Sequence, residues 1–251
     1  MSSGLPALIF EQIRNDIINE IYPIGSKLPP ERELAGKYGA SRFAVREAIA
    51  RLMQTGFVET HPQSGSYIRD FYRDGSLDTL VQTLRIRRVI DRQTLDSLLR
   101  FRYTTETNAA AEAALRINDS DIGYLANNLK TKKKHLTAIQ ILAECDYDFH
   151  YKVITIAENV INRLIFQSFK PIYSFFTEFF YSLPDTADNS LKLNLRLLET
   201  LKKRDSQASC LAMAEILKYG EKKVYEAIND NDQLIVIRER DSTRTGENKT
   251  I

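Results

Sequence analysis

The stretch 28–68 leaves the backbone few choices. Pro29 and Pro30 suit the entry to a helix, where a missing N–H costs nothing, and Glu31 beyond them suits the positive end of the helix dipole. Gly39, just after Tyr38, can take the left-handed conformation that closes that helix. Ser41 is placed to cap the next one, in which Val45, Ala48, Ile49 and Leu52 fit an i, i+3, i+4, i+7 stripe. After Gly56, the β-prone runs 57–60 and 66–68 flank His61-Pro62-Gln63-Ser64-Gly65, which predicts a hairpin. Ahead of all this, Ile9, Ile13, Ile17 and Ile21 recur every four residues, the buried stripe of a helix stopped by Pro23 and Gly25. The expected order is therefore three helices and a β-hairpin.

Phe43 and Arg46 fall off the apolar stripe of the third helix, and Arg42 sits in its first turn. Two guanidiniums thus project from one helix end, where they can bridge the O6 and N7 atoms of guanine or clamp a phosphate. Leu28-Pro-Pro-Glu-Arg-Glu-Leu-Ala35 and Ser41-Arg-Phe-Ala-Val-Arg-Glu-Ala48 resemble the two signatures of the GntR regulators, whose reading head is a winged helix-turn-helix. The resemblance implies that Arg32, Arg42 and Arg46 contact DNA, with Ser41 and the wing residue Gly65 in supporting positions; Phe43, off the buried stripe beside them, joins the expected DNA-binding set. The family wing usually reads Gly-x-Gly; here Gln63 replaces the first glycine.

With 251 residues the chain is long enough for two domains, and a net charge of +2 excludes a protein coated in phosphate-binding groups. The basic character is local, at Arg32, Lys37, Arg42, Arg46 and Arg51. Cys145 and Cys210 both sit in apolar helical contexts, which argues for buried small side chains rather than a disulfide or a thiolate cage. No basic leader and no long apolar run is present, so a cytoplasmic protein without membrane segments is expected.

Beyond a polar hinge at 69–76 the patterning is of helical period throughout, which predicts a mainly α protein: residues 1–70 a winged head, 71–76 a hinge, 77–230 a bundle of six or seven helices, and 231–251 a polar tail without a core. The expected bundle helices are 76–91, 94–117, 119–134, 136–158, 160–183, 187–204 and 206–229, with Asp119 and Asp205 as caps and Gly123 and Pro184 as punctuation. Leu98-Leu-Arg-Phe-Arg102, Asp146-Tyr-Asp-Phe-His150 and the pair Tyr219-Gly220 are similar to motifs of the FadR subfamily, whose bundle binds a small effector and often pairs two subunits. The resemblance implies an effector site built from Arg102, Asp146, His150, Asn194, Tyr219 and Gly220.

Asp146 and His150, four apart on a helix, could share one ion, and many subfamily members complete such a site with two further histidines. The corresponding positions here hold Asn194 and Ile216, so an ion would rest on one imidazole and one carboxylate; a metal is not expected, and a hydrogen-bonded Asp146–His150 pair is. The aromatic run Phe166, Phe169, Tyr173, Phe176, Phe179, Phe180 and Tyr181 offers either the wall of a long apolar cavity or a subunit interface. With Arg102, Lys218 or Tyr219 meeting a polar head group, the first option points to an acyl-CoA-like effector; the alternative is a metal-assisted small carboxylate. The predicted function is a ligand-responsive regulator that binds a palindromic operator on double-stranded DNA as a homodimer, the effector shifting the heads through the hinge. A remote alternative is a helical enzyme with Asp146 and His150 as acid and base, but the chain carries no phosphate-cradling glycine loop, no nucleophile elbow and no zinc-protease motif. A third is an architectural DNA-binding protein without a ligand.

Overall fold

A computed structural model describes residues 4–87 and 90–228; the predicted polar tail lies outside the described residues. The first three helices are α1 (Leu5–Ile18), α2 (Glu31–Lys37) and α3 (Arg42–Gln54), followed by strands β1 (Val58–His61) and β2 (Gly65–Ile68). Ile9, Ile13 and Ile17 of α1 face Leu34 of α2, Val45, Ala48 and Leu52 of α3, and Phe57, Val58 and Ile68 of the hairpin in one core. Ile21 does not join them and is 58% exposed, because α1 ends at Ile18 and Glu20 turns the chain with φ 62°. Ser41 caps α3 as its position predicts, its hydroxyl accepting from the Ala44 N–H at 3.2 Å. The strands pair antiparallel, with Val58 opposite Ile68 and His61 opposite Gly65.

The bundle comprises α4 (Leu77–Arg87), α5 (Arg92–Arg116), α6 (Asp119–Lys134), α7 (Ile139–Ile156), α8 (Val160–Ser168), α9 (Lys170–Ser182), α10 (Thr186–Lys202) and α11 (Ser206–Ala227). Its centre joins Ala110, Ala113 and Ala114 of α5 to Phe149 and Val153 of α7, Leu197 and Leu201 of α10, and Met213 and Leu217 of α11. The alanines let neighbouring helices approach closely, while a buried side chain of the size of Phe149 contributes about 1.5–3 kcal/mol. Asp205 caps α11 as expected, but α6 is capped by Asn118 rather than Asp119, in a reciprocal box with Asp121. Gly123, expected to punctuate, lies inside α6. The segment 160–183 forms two helices instead of one. Phe169 ends α8 and Pro171 opens α9, since proline is tolerated in a first turn but not within a helix.

The stretch 69–76 is folded back onto the head. Phe71 is buried in the head core with its ring 5.2 Å from Phe57, and a Cβ on Gly75 would lie 2.1 Å from the Phe71 carbonyl oxygen. Helix α4 then docks on the same unit: Thr79 Oγ1 donates to the Thr55 carbonyl at 2.8 Å, and Arg87 Nε to the Ile18 carbonyl at 2.7 Å. On its other side α4 meets α9, in a cluster that includes Val81, Leu84, Ile172 and Phe176. Among the described residues no helix is long and apolar enough to cross a membrane.

Candidate nucleic-acid interface and effector site

The head presents Arg32, Ser41, Arg42, Phe43 and Arg46 together on an exposed surface. Phe43 is 73% exposed, in sequence next to Arg42 in the first turn of α3. Arg46 is held by Glu31 through two parallel bonds, Nε to Oε1 at 3.0 Å and Nη2 to Oε2 at 2.8 Å. The bond from Arg46, aided by the charge of Arg42, holds the Glu31 carboxyl below its usual range despite some burial. At the hairpin tip Gln63 takes φ 64° and Gly65 φ 113°. Gln63 therefore adopts the backbone state in which the related wings place glycine, and at Gly65 the positive φ strains any residue with a side chain.

Inside the bundle, charged side chains gather where a sequence would be expected to hold apolar ones. Arg102 donates from Nε to Glu106 Oε1 at 2.6 Å and from Nη2 to the Tyr173 hydroxyl at 3.1 Å, with its guanidinium over the Tyr173 ring at 4.4 Å. Glu106 Oε2 also accepts a hydrogen bond from His150 Nδ1–H. The expected Asp146–His150 hydrogen bond is not formed: His150 Nε2 lies 3.8 Å from Asp146 Oδ2, because Nδ1 is committed to Glu106. Asp146 instead accepts from Lys132 Nζ at 3.0 Å, the Tyr181 hydroxyl at 2.6 Å and the Tyr173 hydroxyl at 2.9 Å.

Two cations thus balance two buried carboxylates. Burial alone would raise the carboxyl pKa values, but Arg102 and His150 beside Glu106, and Lys132 and His150 beside Asp146, hold both below their ordinary range. Burial and the neighbouring carboxylate push the Tyr173 and Tyr181 hydroxyls well up, so both remain protonated donors.

The cluster floors a cavity of about 80 Å³, with Arg102, Asp146 and His150 on its lining and Leu98, Phe101, Phe169, Phe176, Leu217 and Val224 among its walls. At roughly 10–15 Å³ per water centre, this space holds a few waters; a longer ligand requires the walls to part. Much of the aromatic run lines this space, through Phe166, Phe169, Tyr173, Phe176 and Phe180, while Phe179 packs toward α4 and Tyr181 turns to Asp146. Tyr219 and Gly220 line it too, although the Tyr219 hydroxyl donates to the Asp185 carbonyl at 3.3 Å. Lys218 stands over the ring of Tyr103 at 5.8 Å. Asn194 does not reach the cavity; it is fully buried, with its amide turned so that the oxygen accepts from Lys132 Nζ at 3.1 Å. Cys145 is buried and Cys210 half-buried.

Two members of this cluster escaped the sequence reading. Glu106 follows Arg102 by one helical turn, a spacing that favours an ion pair. Lys132 stands in a cationic run that reads as solvated, yet it continues the stripe of Leu125 and Leu129 at i+7.

Residues 7–68 match the family described as bacterial regulatory proteins, gntR family, and residues 97–219 match the FCD domain. The HTH-type transcriptional regulator Mce2R of Mycobacterium tuberculosis is 32% identical over 170 residues, 68% of this chain and 70% of that protein. The Uxu operon transcriptional regulator of Escherichia coli is 29% identical over 88% of this chain and 86% of its own. The fatty acid metabolism regulator protein of Pasteurella multocida is 26% identical over 74% of this chain and 76% of its own. With a winged head carrying exposed arginines and a helical domain carrying an enclosed polar cluster, this chain belongs to the GntR family, as a DNA-binding transcription regulator with an FCD domain rather than an enzyme.

Proposed function

We propose that this regulator works in the cytoplasm as a homodimer on a palindromic operator, and that it belongs with the FadR subfamily and answers a fatty acyl-CoA or a similar amphipathic ligand. Arg42 and Arg46 enter the major groove from the start of α3, Arg32 takes a phosphate, Phe43 covers the groove edge, and the wing at Gly65 meets backbone. One such helix reads only a few base pairs, so two half-sites related by a two-fold axis multiply the discrimination.

The observation that carries the effector reading is a guanidinium at the floor of an otherwise apolar cavity. Arg102 Nη1 makes no hydrogen bond to the described residues, while Nε and Nη2 are engaged, so one N–H-bearing nitrogen is left to meet a carbonyl or carboxylate at the polar end of a chain. Phe169, at the α8–α9 junction, and Phe176 of α9 line the cavity, the α9 face also packs on α4, and α4 is tied to the head by Arg87. A ligand that parts the walls displaces α9, then α4, then the head; a coupling of about 1–3 kcal/mol suffices to change operator occupancy several-fold or more.

The names of the relatives alone do not select an effector, since one is named for an operon and another for fatty acid metabolism. The test is a fluorescence-anisotropy titration of an operator fragment selected from genomic DNA. Long-chain acyl-CoA is expected to change its affinity, whereas no response at saturation, together with release by a small dicarboxylate plus zinc, overturns the acyl assignment.

A further inference from the structure

We propose that the Lys132 ammonium is a tethered cation that occupies the place of a metal ion in this bundle, so that the regulator assembles its effector site without a divalent metal. Lys132 is fully buried, and its three N–H bonds have three acceptors on two helices: Asp146 Oδ1 of α7 at 3.0 Å, Ser190 Oγ of α10 at 2.9 Å and the Asn194 amide oxygen of α10, with its amide turned, at 3.1 Å. The ring of Tyr181, on α9, completes the cage with its centre 5.2 Å from Nζ. An ammonium has three protons to place; none is left over.

A divalent ion does not fit beside it. Both Asp146 oxygens are taken, Oδ1 by Lys132 and Tyr181 and Oδ2 by Tyr173, so ligation would have to break a buried bond. Among the described residues no group of three or more His, Cys, Asp or Glu side chains is placed to hold an ion. The acceptors around Nζ stand about 3 Å from it, hydrogen-bond separations, whereas zinc draws its ligands to about 2.0–2.2 Å. The remaining positions agree in chemistry. Asn194 offers an oxygen to a proton donor where a metal would prefer an imidazole, and Ile216 offers only hydrocarbon to the cavity.

The ammonium differs from an ion in two ways that matter for recognition. It cannot leave, so the cluster is complete at any metal concentration. It also has no vacant coordination position, so a ligand cannot bind by replacing a water on it. The incoming polar group must therefore be read by Arg102, which lines the cavity and keeps 18% of its side-chain exposure, rather than by the buried cation. This last step rests on the effector reading given above; the metal test that follows does not.

The experiment uses full-length protein without a histidine tag. Elemental analysis should find far less than one Zn, Ni, Mn, Fe or Co per chain. EDTA should leave both the melting temperature and operator affinity unchanged, and added ZnCl2 should leave the melting temperature unchanged. A stoichiometric ion in the wild type, or loss of melting temperature or operator affinity on chelation, overturns the proposal. The double substitution Lys132→Ala with Asn194→His vacates the cage and supplies an imidazole beside Asp146 and His150. It should gain about one zinc per chain and a zinc-dependent rise in melting temperature. If it folds and gains neither, the cage is not an ion site in disguise and the proposal fails. If it does not fold with or without zinc, the wild-type arms decide alone.

Discussion

The reading head and the bundle both depend on cations, and they use them in opposite ways. In the head, Arg32, Arg42 and Arg46 stand in water, and the one firm partner among them, Glu31, is itself on the surface. In the bundle, Lys132 is committed to Asp146 with no exposure to solvent, and Arg102, mostly covered, to Glu106. An exposed ion pair exchanges readily with a competing phosphate because water screens both arrangements almost equally. A buried pair does not exchange, because removing one member strands the other in a medium that solvates it poorly. The same kind of charge therefore serves recognition at the head's arginines and architecture at Lys132, with Arg102 between them, anchored by Glu106 yet still lining the cavity.

The largest expected effect comes from breaking the buried half of this contrast. Lys132→Met keeps the length of the side chain and removes the charge, leaving Asp146 uncompensated; unfolding in urea should show a loss of about 3–5 kcal/mol. A loss under about 1 kcal/mol, the range of surface pairs, would erase the distinction between the two regions. Acid should act next, and on the same residues. Glu106 and Asp146 have folded pKa values below their ordinary values of 4.5 and 3.8. Their contribution to stability is therefore complete above the unfolded values and is lost as pH falls through the lower folded ones, at up to about 1.4 kcal/mol per pH unit for each group. Urea midpoints measured from pH 6 downward should fall steeply below about pH 4.5, and Glu106→Gln should flatten that fall.

On the exposed side the effect is smaller and falls on binding alone. Arg42→Ala should weaken operator affinity by about 1–3 kcal/mol with helical circular dichroism and urea midpoint unchanged. A shifted midpoint would mean that Arg42 supports the head rather than reads DNA.

The head was legible from sequence because its determinants are local. A stripe, a serine cap, a left-handed glycine and two short β-prone runs each act within a few residues, and α1 misjudged at Ile21 is an error of one turn. The bundle cluster was legible only in part. Asp146, His150 and Arg102 carry spacing signals, but their partners come from elsewhere: Glu106 meets His150 across 44 residues, and Lys132 meets Ser190 across 58. Nothing in the run 130–134 distinguishes the one lysine that turns inward, except that it continues a stripe the charge disguises. The same blindness to distant partners paired His150 with Asp146 rather than Glu106.

Arg87 links α4 to the head at three points, the Ile18 carbonyl, Glu20 and the Tyr72 hydroxyl. The winged unit thus carries α4 like a handle welded to a blade. A twist delivered to that handle by its neighbour in the bundle would reorient the blade as a whole, with no slack for the intervening turn to absorb. Arg87→Ala would then loosen the handle from the blade, leaving a protein that still holds DNA but no longer hears its signal.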